Sequence, residues 1–225
     1  MTTEAKQLWR DLSLDRVAIV LLAACAVLFI NRFWTPELDV AGRGRWMTWG
    51  FARFATYTVI PVVALRWFLK QPVSAMGLKL PKGRDLMIYG SMLTVMIPVV
   101  LIVSNLSSFQ AKYPFFVPSD GIKEMWPWWI AYGLQFVGLE FFFRGFMVHS
   151  LKDTLGGTAA VWVMVVPYMM IHFTKPPLEA LGAVVAGAVL GVLSLRKESI
   201  WLGAALHIGV ALTMDIAALW QRALL

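Results

Sequence analysis

Glu140, Arg144, His172, His207 and Asp215, in the second half of the chain, are ionisable residues within largely apolar stretches. A charged side chain at bilayer depth costs about 2.5–3.5 kcal/mol on insertion scales, so each needs a partner or a task. Glu140 and Arg144 are spaced i,i+4, about 40° apart round one helical face, and can pair. Alone, such a pair would be a structural feature that neutralises itself. Two histidines on other stretches argue against that, because a closed pair has no use for them. A carboxylate with two imidazoles supports three chemistries. A glutamate and a histidine can together deprotonate a water while a second histidine donates to a developing oxyanion. The same groups could ligate zinc as Glu/His/His. They could also relay protons through a transporter. Spacing alone does not separate the three. His207 and Asp215 fall about 80° apart on a helix, a poor arrangement for chelating one metal. His149 in isolation reads as a satisfied core histidine.

The elements that must carry these groups are apolar helices. The 225 residues are 59% hydrophobic and 15% charged, with mean hydropathy +0.69. Soluble domains lie near ~45–50% apolar and ~25% charged, so a soluble enzyme, a nucleic-acid binder and a disordered chain are all disfavoured. Seven apolar segments follow one another at 17–33, 46–69, 86–106, 126–151, 158–173, 178–195 and 200–219. Each approaches the ~20 residues that cross a ~30 Å hydrocarbon core, though the fifth is short. The expected fold is therefore all-α, a polytopic transmembrane bundle of about seven spans forming a single domain over 1–225. Trp46, Trp49, Trp67, Trp126, Trp128, Trp129, Trp201 and Trp220 fall near segment ends, where an indole prefers the headgroup level. The net charge of +7 reads as loop charge beside anionic lipid, not as a nucleic-acid patch. Loop Lys and Arg divide ten against seven, placing the N-terminus and the 70–85 loop in the cytoplasm and the 107–125 loop outside. Leu22-Ala23-Ala24-Cys25 matches a lipoprotein cleavage box, but the apolar run continues past Cys25, so a first span is expected. In the sixth segment Ala183, Gly187 and Gly191 recur every four residues, a small face suited to close helix packing.

Leu139-Glu140-Phe141-Phe142-Phe143-Arg144-Gly145-Phe146 resembles the first motif of the CPBP (CAAX protease and bacteriocin-processing) intramembrane proteases. Tyr168-Met169-Met170-Ile171-His172 is similar to their second motif, an aromatic residue four before a histidine. The stretch from Phe173 to Glu179 resembles bacterial members. His207, with Asp215 eight residues on, resembles the third motif. The order and spacing agree over roughly 126–219, the expected catalytic core. Two positions depart from the pattern: Leu139 stands where members often carry a first glutamate, and Ala211 where they often carry asparagine.

The resemblance implies a helical bundle with a cavity, and hydrolysis of a peptide bond by a water held between a glutamate and a histidine. Carried over by position, Glu140 and His172 activate the water, Arg144 orients Glu140, His207 supplies the oxyanion contact, and Asp215 is a supporting group. No metal and no cofactor are expected, the glutamic type being preferred to a zinc protease. The partners implied are a peptide or protein substrate with a membrane-associated segment, and the lipid bilayer. The location implied is the bacterial inner (cell) membrane, multi-pass, with a leader peptide or C-terminal sorting signal (as in the myxosortase branch) as substrate. A catalytically inactive scaffold and a proton-coupled transporter are the alternatives. A transporter would place broken helices in both halves, whereas here the polar groups crowd the second.

Overall fold

The computed structural model describes residues 14–34, 43–119 and 121–224, together with Thr2, Glu4 and Gln7. Lys6, Arg10 and Asp11, which enter the orientation and signal-peptide readings, lie outside the described residues. Helix α1 (Arg16–Phe33) starts where the Asp15 carboxylate accepts from the Ala18 N–H at 2.8 Å, satisfying one of the free first-turn donors. Cys25 sits inside this unbroken helix. Helix α2 (Arg43–Val63) contains Pro61 and widens into a π-helical turn at Ala64–Leu69. Proline removes an internal donor, and a wider turn is one way for a helix to accommodate that loss.

Helix α3 (Gly83–Val103) follows a docked loop. Helix α4 carries the first motif. It is α-helical over Met125–Glu140, π-helical over Phe141–Met147 and α-helical again over Val148–Leu155. Helix α5 (Gly157–Met170) is short because Pro167 lies near its end and a turn takes over at Ile171. Helix α6 (Pro177–Lys197) opens on a proline at its first position, where the missing N–H costs nothing. Helix α7 (Trp201–Gln221) closes the bundle.

The fold is all-helical, as expected from composition. Among the described residues, four helices (Arg16–Phe33, Gly83–Val103, Pro177–Lys197 and Trp201–Gln221) are by themselves long and apolar enough to cross a membrane, and Gly157–Met170 is a shorter apolar helix. The expected count of seven is not confirmed by the length and composition of these helices. The second and fourth segments are interrupted by π turns, and the fifth ends early. The exterior is apolar: Met87, Ile102, Leu181 and Val185 are all more than 60% exposed, as lipid-facing positions would be. Several apolar helices with an apolar exterior are those of a multi-pass membrane protein.

The core is centred on α4, where Phe142, Phe143, Phe146 and Met147 pack with Tyr57, Leu65, Met76, Met164 and Tyr168. The small face of α6 meets α5. A Cβ on Gly187 would stand 3.1 Å from Tyr168 Cδ1, and one on Gly191 would stand 2.9 Å from Val161 Cγ1. That close approach holds Tyr168 against the core. The placement of every end tryptophan at the interface needs correction. Trp67, Trp126 and Trp220 are exposed, but Trp128 is fully buried, and Trp46 and Trp49 pack with it in an aromatic cluster.

Candidate active site

Glu140 is the last α-helical residue of α4 before the π turn, and Arg144 lies within that turn; both are buried, at 1% and 0% exposure. Arg144 Nη1 stands 2.9 Å from Glu140 Oε1, and His207 Nδ1 reaches the same oxygen at 2.8 Å from α7. Neither contact has the angular alignment of a hydrogen bond. The guanidinium also lies over the Tyr168 ring, its central carbon 3.9 Å from the centroid, in a cation–π arrangement. Glu140 Oε2 faces Gly203, where an added Cβ would come within 2.5 Å of it. Glycine is required at that position for the carboxylate to fit between α4 and α7.

His207 is engaged at both ring nitrogens. Its Nε2 lies 2.8 Å from the Tyr168 hydroxyl, and Phe136 stacks on the ring with 3° between planes. His172, on the turn after α5, places Nδ1 2.8 Å from the Tyr168 carbonyl oxygen. A carbonyl only accepts, so Nδ1 carries the hydrogen and Nε2 of a neutral His172 keeps its lone pair. Glu140, Arg144 and His207 are therefore brought together directly, and His172 joins them through Tyr168, with ring centroids 4.8 Å apart.

Asp215 is held elsewhere. Its Oδ2 accepts from the indole N–H of Trp128 at 2.9 Å and of Trp129 at 3.0 Å, two turns along α7 from His207. This contact ties the far half of α7 to the start of α4, so the expectation that Asp215 supports the site is not met by its contacts. Among the described residues, no group of three His, Cys, Asp or Glu side chains is gathered as a metal site. The Glu/His/His alternative has only two of its members in contact.

Residues 121–213 match the family described as "Type II CAAX prenyl endopeptidase Rce1-like". The matched segment takes in Glu140, Arg144, His172 and His207 and stops short of Asp215. Over that segment, about two fifths of the chain, the sequence is similar to the CPBP family. No curated protein and no solved structure matches it. The family matched is, by that description, one of endopeptidases.

Two positions at this site escape a reading confined to acidic, basic and imidazole side chains. Tyr168 links both histidines and lies against Arg144, and its position four before His172 was the available signal. Gly203 makes room for the carboxylate and precedes His207 by one turn. A glycine in an apolar helix carries no such signal by itself.

Proposed function

We propose that this protein is an intramembrane endopeptidase of glutamic type, in which Glu140 is the general base. The observation that supports this best is the convergence of Arg144 and His207 on one oxygen of a fully buried carboxylate. Neither group closes on Oε2, which packs against Gly203, and this is the oxygen assigned to the water. The water is shared with His172, whose Nε2 is the imidazole nitrogen left without a backbone partner by the tautomer argument.

Attack of the water oxygen on the scissile carbonyl carbon transfers a proton to Glu140. Collapse of the tetrahedral intermediate breaks the C–N bond, and the same proton passes to the leaving amine. His207 fits an orienting role better than an oxyanion role, since Nδ1 is on Glu140 and Nε2 on Tyr168. The Tyr168 O–H, displaced from Nε2 by an incoming carbonyl, is the nearest donor to a developing negative charge. Leu139 in place of a second glutamate leaves Glu140 alone with the proton transfer.

The substrate class this reading carries is a peptide tethered to the bilayer by a lipid or an apolar helix, in the cell membrane of a bacterium. The test is hydrolysis of membrane-anchored peptides by the purified protein in ¹⁸O-labelled water. The expected product gains one labelled oxygen at a new C-terminal carboxyl. Intact peptides across a panel of lipidated and helix-anchored substrates would overturn the reading.

A further inference from the structure

One buried histidine plays no part in this mechanism. His149 is 2% exposed and lies on α4 just past the π turn that bears Arg144. Its Nε2 is 3.2 Å from Ser194 Oγ on α6, and Ser194 Oγ is 3.3 Å from the Arg144 carbonyl oxygen. On the other side, Lys152 Nζ lies 3.5 Å from His149 Nδ1.

The donors can be assigned in one direction only. The Arg144 carbonyl must accept, so the Ser194 hydroxyl donates to it. The serine oxygen then accepts from His149 Nε2–H, and Nδ1 accepts from the Lys152 ammonium.

The carbonyl at the end of this chain is a special one. In a regular α-helix the Val148 N–H would bond to it; here that N–H goes to Phe143 and Gly145 instead. Ser194 thus supplies a donor to the carbonyl that the wide turn passes over. The surroundings leave room for this arrangement. Gly77, in the left-handed region at φ +69°, lies where an added Cβ would be 3.0 Å from His149 Nε2. A Cβ on Gly145 would stand 2.8 Å from the Met76 carbonyl oxygen.

We propose that Ser194, backed by His149 and Lys152, is a positioning residue that holds the π turn open and so fixes Arg144 against Glu140. The proposal rests on Glu140 as the base for its consequence on rate, but not for its consequence on geometry. The chain has three histidines, so ¹⁵N-histidine labelling of the full-length protein in nanodiscs gives three sets of ring signals.

Ser194→Ala should move the His207 signals as well as those of His149, because a displaced Arg144 changes what Glu140 presents to His207. Ser194→Thr, which keeps the hydroxyl, should leave His207 in place, as should Val192→Ala on the exposed side of α6. Should the alanine variant not fold, Ser194→Cys is nearly isosteric and only a weak donor, and the same His207 displacement is expected. In the cleavage assay kcat should fall about 10- to 100-fold for Ser194→Ala with KM held. His207 signals unmoved while those of His149 shift would reduce Ser194 to local packing and overturn the proposal. Absence of cleavage by the wild type would instead overturn the protease reading and leave the ring-nitrogen result standing.

Discussion

At the scale of single residues, the buried charges decide what each substitution does. Removing Arg144 leaves the buried Glu140 carboxylate with only His207 beside it, and breaking a buried pair costs about 3–5 kcal/mol. Arg144→Leu is therefore expected to unfold at markedly lower temperature than wild type, measured by thermal denaturation in detergent. Asp215 should behave differently. Asp215→Ala forfeits two indole hydrogen bonds to a carboxylate, worth about 1.5–3 kcal/mol each at most, yet touches none of the catalytic groups. A lowered melting temperature with cleavage retained is expected, and loss of cleavage in a folded Asp215→Ala protein would return Asp215 to the site. The titratable members of the site were legible because each is an expensive residue in an apolar run. Tyr168 and Gly203 were not, because their contributions depend on what faces them across a helix interface.

Elements carry the next set of consequences. The wide turn in α4 could not be read from the sequence: apart from Arg144 the residues of Phe141–Met147 are those of an ordinary apolar helix, and i,i+4 spacing keeps Glu140 and Arg144 adjacent in either geometry. The small face of α6 was legible from its spacing alone. Because Gly187 lies beneath Tyr168 while Val185 is 64% exposed, Gly187→Leu should lower the melting temperature and Val185→Leu should not. Equal values for the two would mean that this face looks at lipid.

The 70–85 loop is pinned to the end of α6 and the start of α7. Lys79 pairs with Glu198, Lys79 N–H donates to the Glu198 carbonyl, and Gly77 accepts from Ile200 N–H at 2.8 Å. The Lys79 ammonium holds the Glu198 carboxyl below its usual range. A carboxyl with a depressed folded-state pKa stabilises above its unfolded-state pKa and loses that contribution as pH falls through the folded one. The melting temperature of Glu198→Gln should thus lie slightly below wild type at neutral pH and converge with it on acidification, the pair being exposed and weak.

For the whole molecule, an all-helical membrane bundle followed from composition, while the number of spans did not. Hydropathy counts apolar segments; it does not see that α5 stops at Met170 or that α2 and α4 change pitch midway. The early stop has a consequence for function: it puts His172 on a turn inside the bundle, where its Nδ1 is fixed by the Tyr168 carbonyl. The charge asymmetry of the loops makes a cytoplasmic N-terminus the expected orientation. With Cys25→Ala as background, a cysteine at Ser119 should react with an impermeant reagent added outside. Labelling only after the inner face is opened would reverse the topology.

The metal question belongs at this scale too, since Glu140, His172 and His207 come from three separate elements. Elemental analysis of the purified protein is expected to show no stoichiometric zinc, and a chelator is expected to leave cleavage unchanged. About one zinc per chain, lost in His172→Ala, would contradict the glutamic reading.

The central claim is that Glu140 takes the proton from the attacking water. Glu140→Gln keeps the shape of the side chain and can still face Arg144 and His207, but it cannot accept that proton. The measurement is the rate of appearance of cleaved peptide, by mass, for wild-type and Glu140→Gln protein of matched melting behaviour. The account predicts a fall of at least ~100-fold, with Glu140→Asp retaining more activity than the glutamine variant. Cleavage at the wild-type rate by a well-folded Glu140→Gln protein would remove Glu140 from the mechanism.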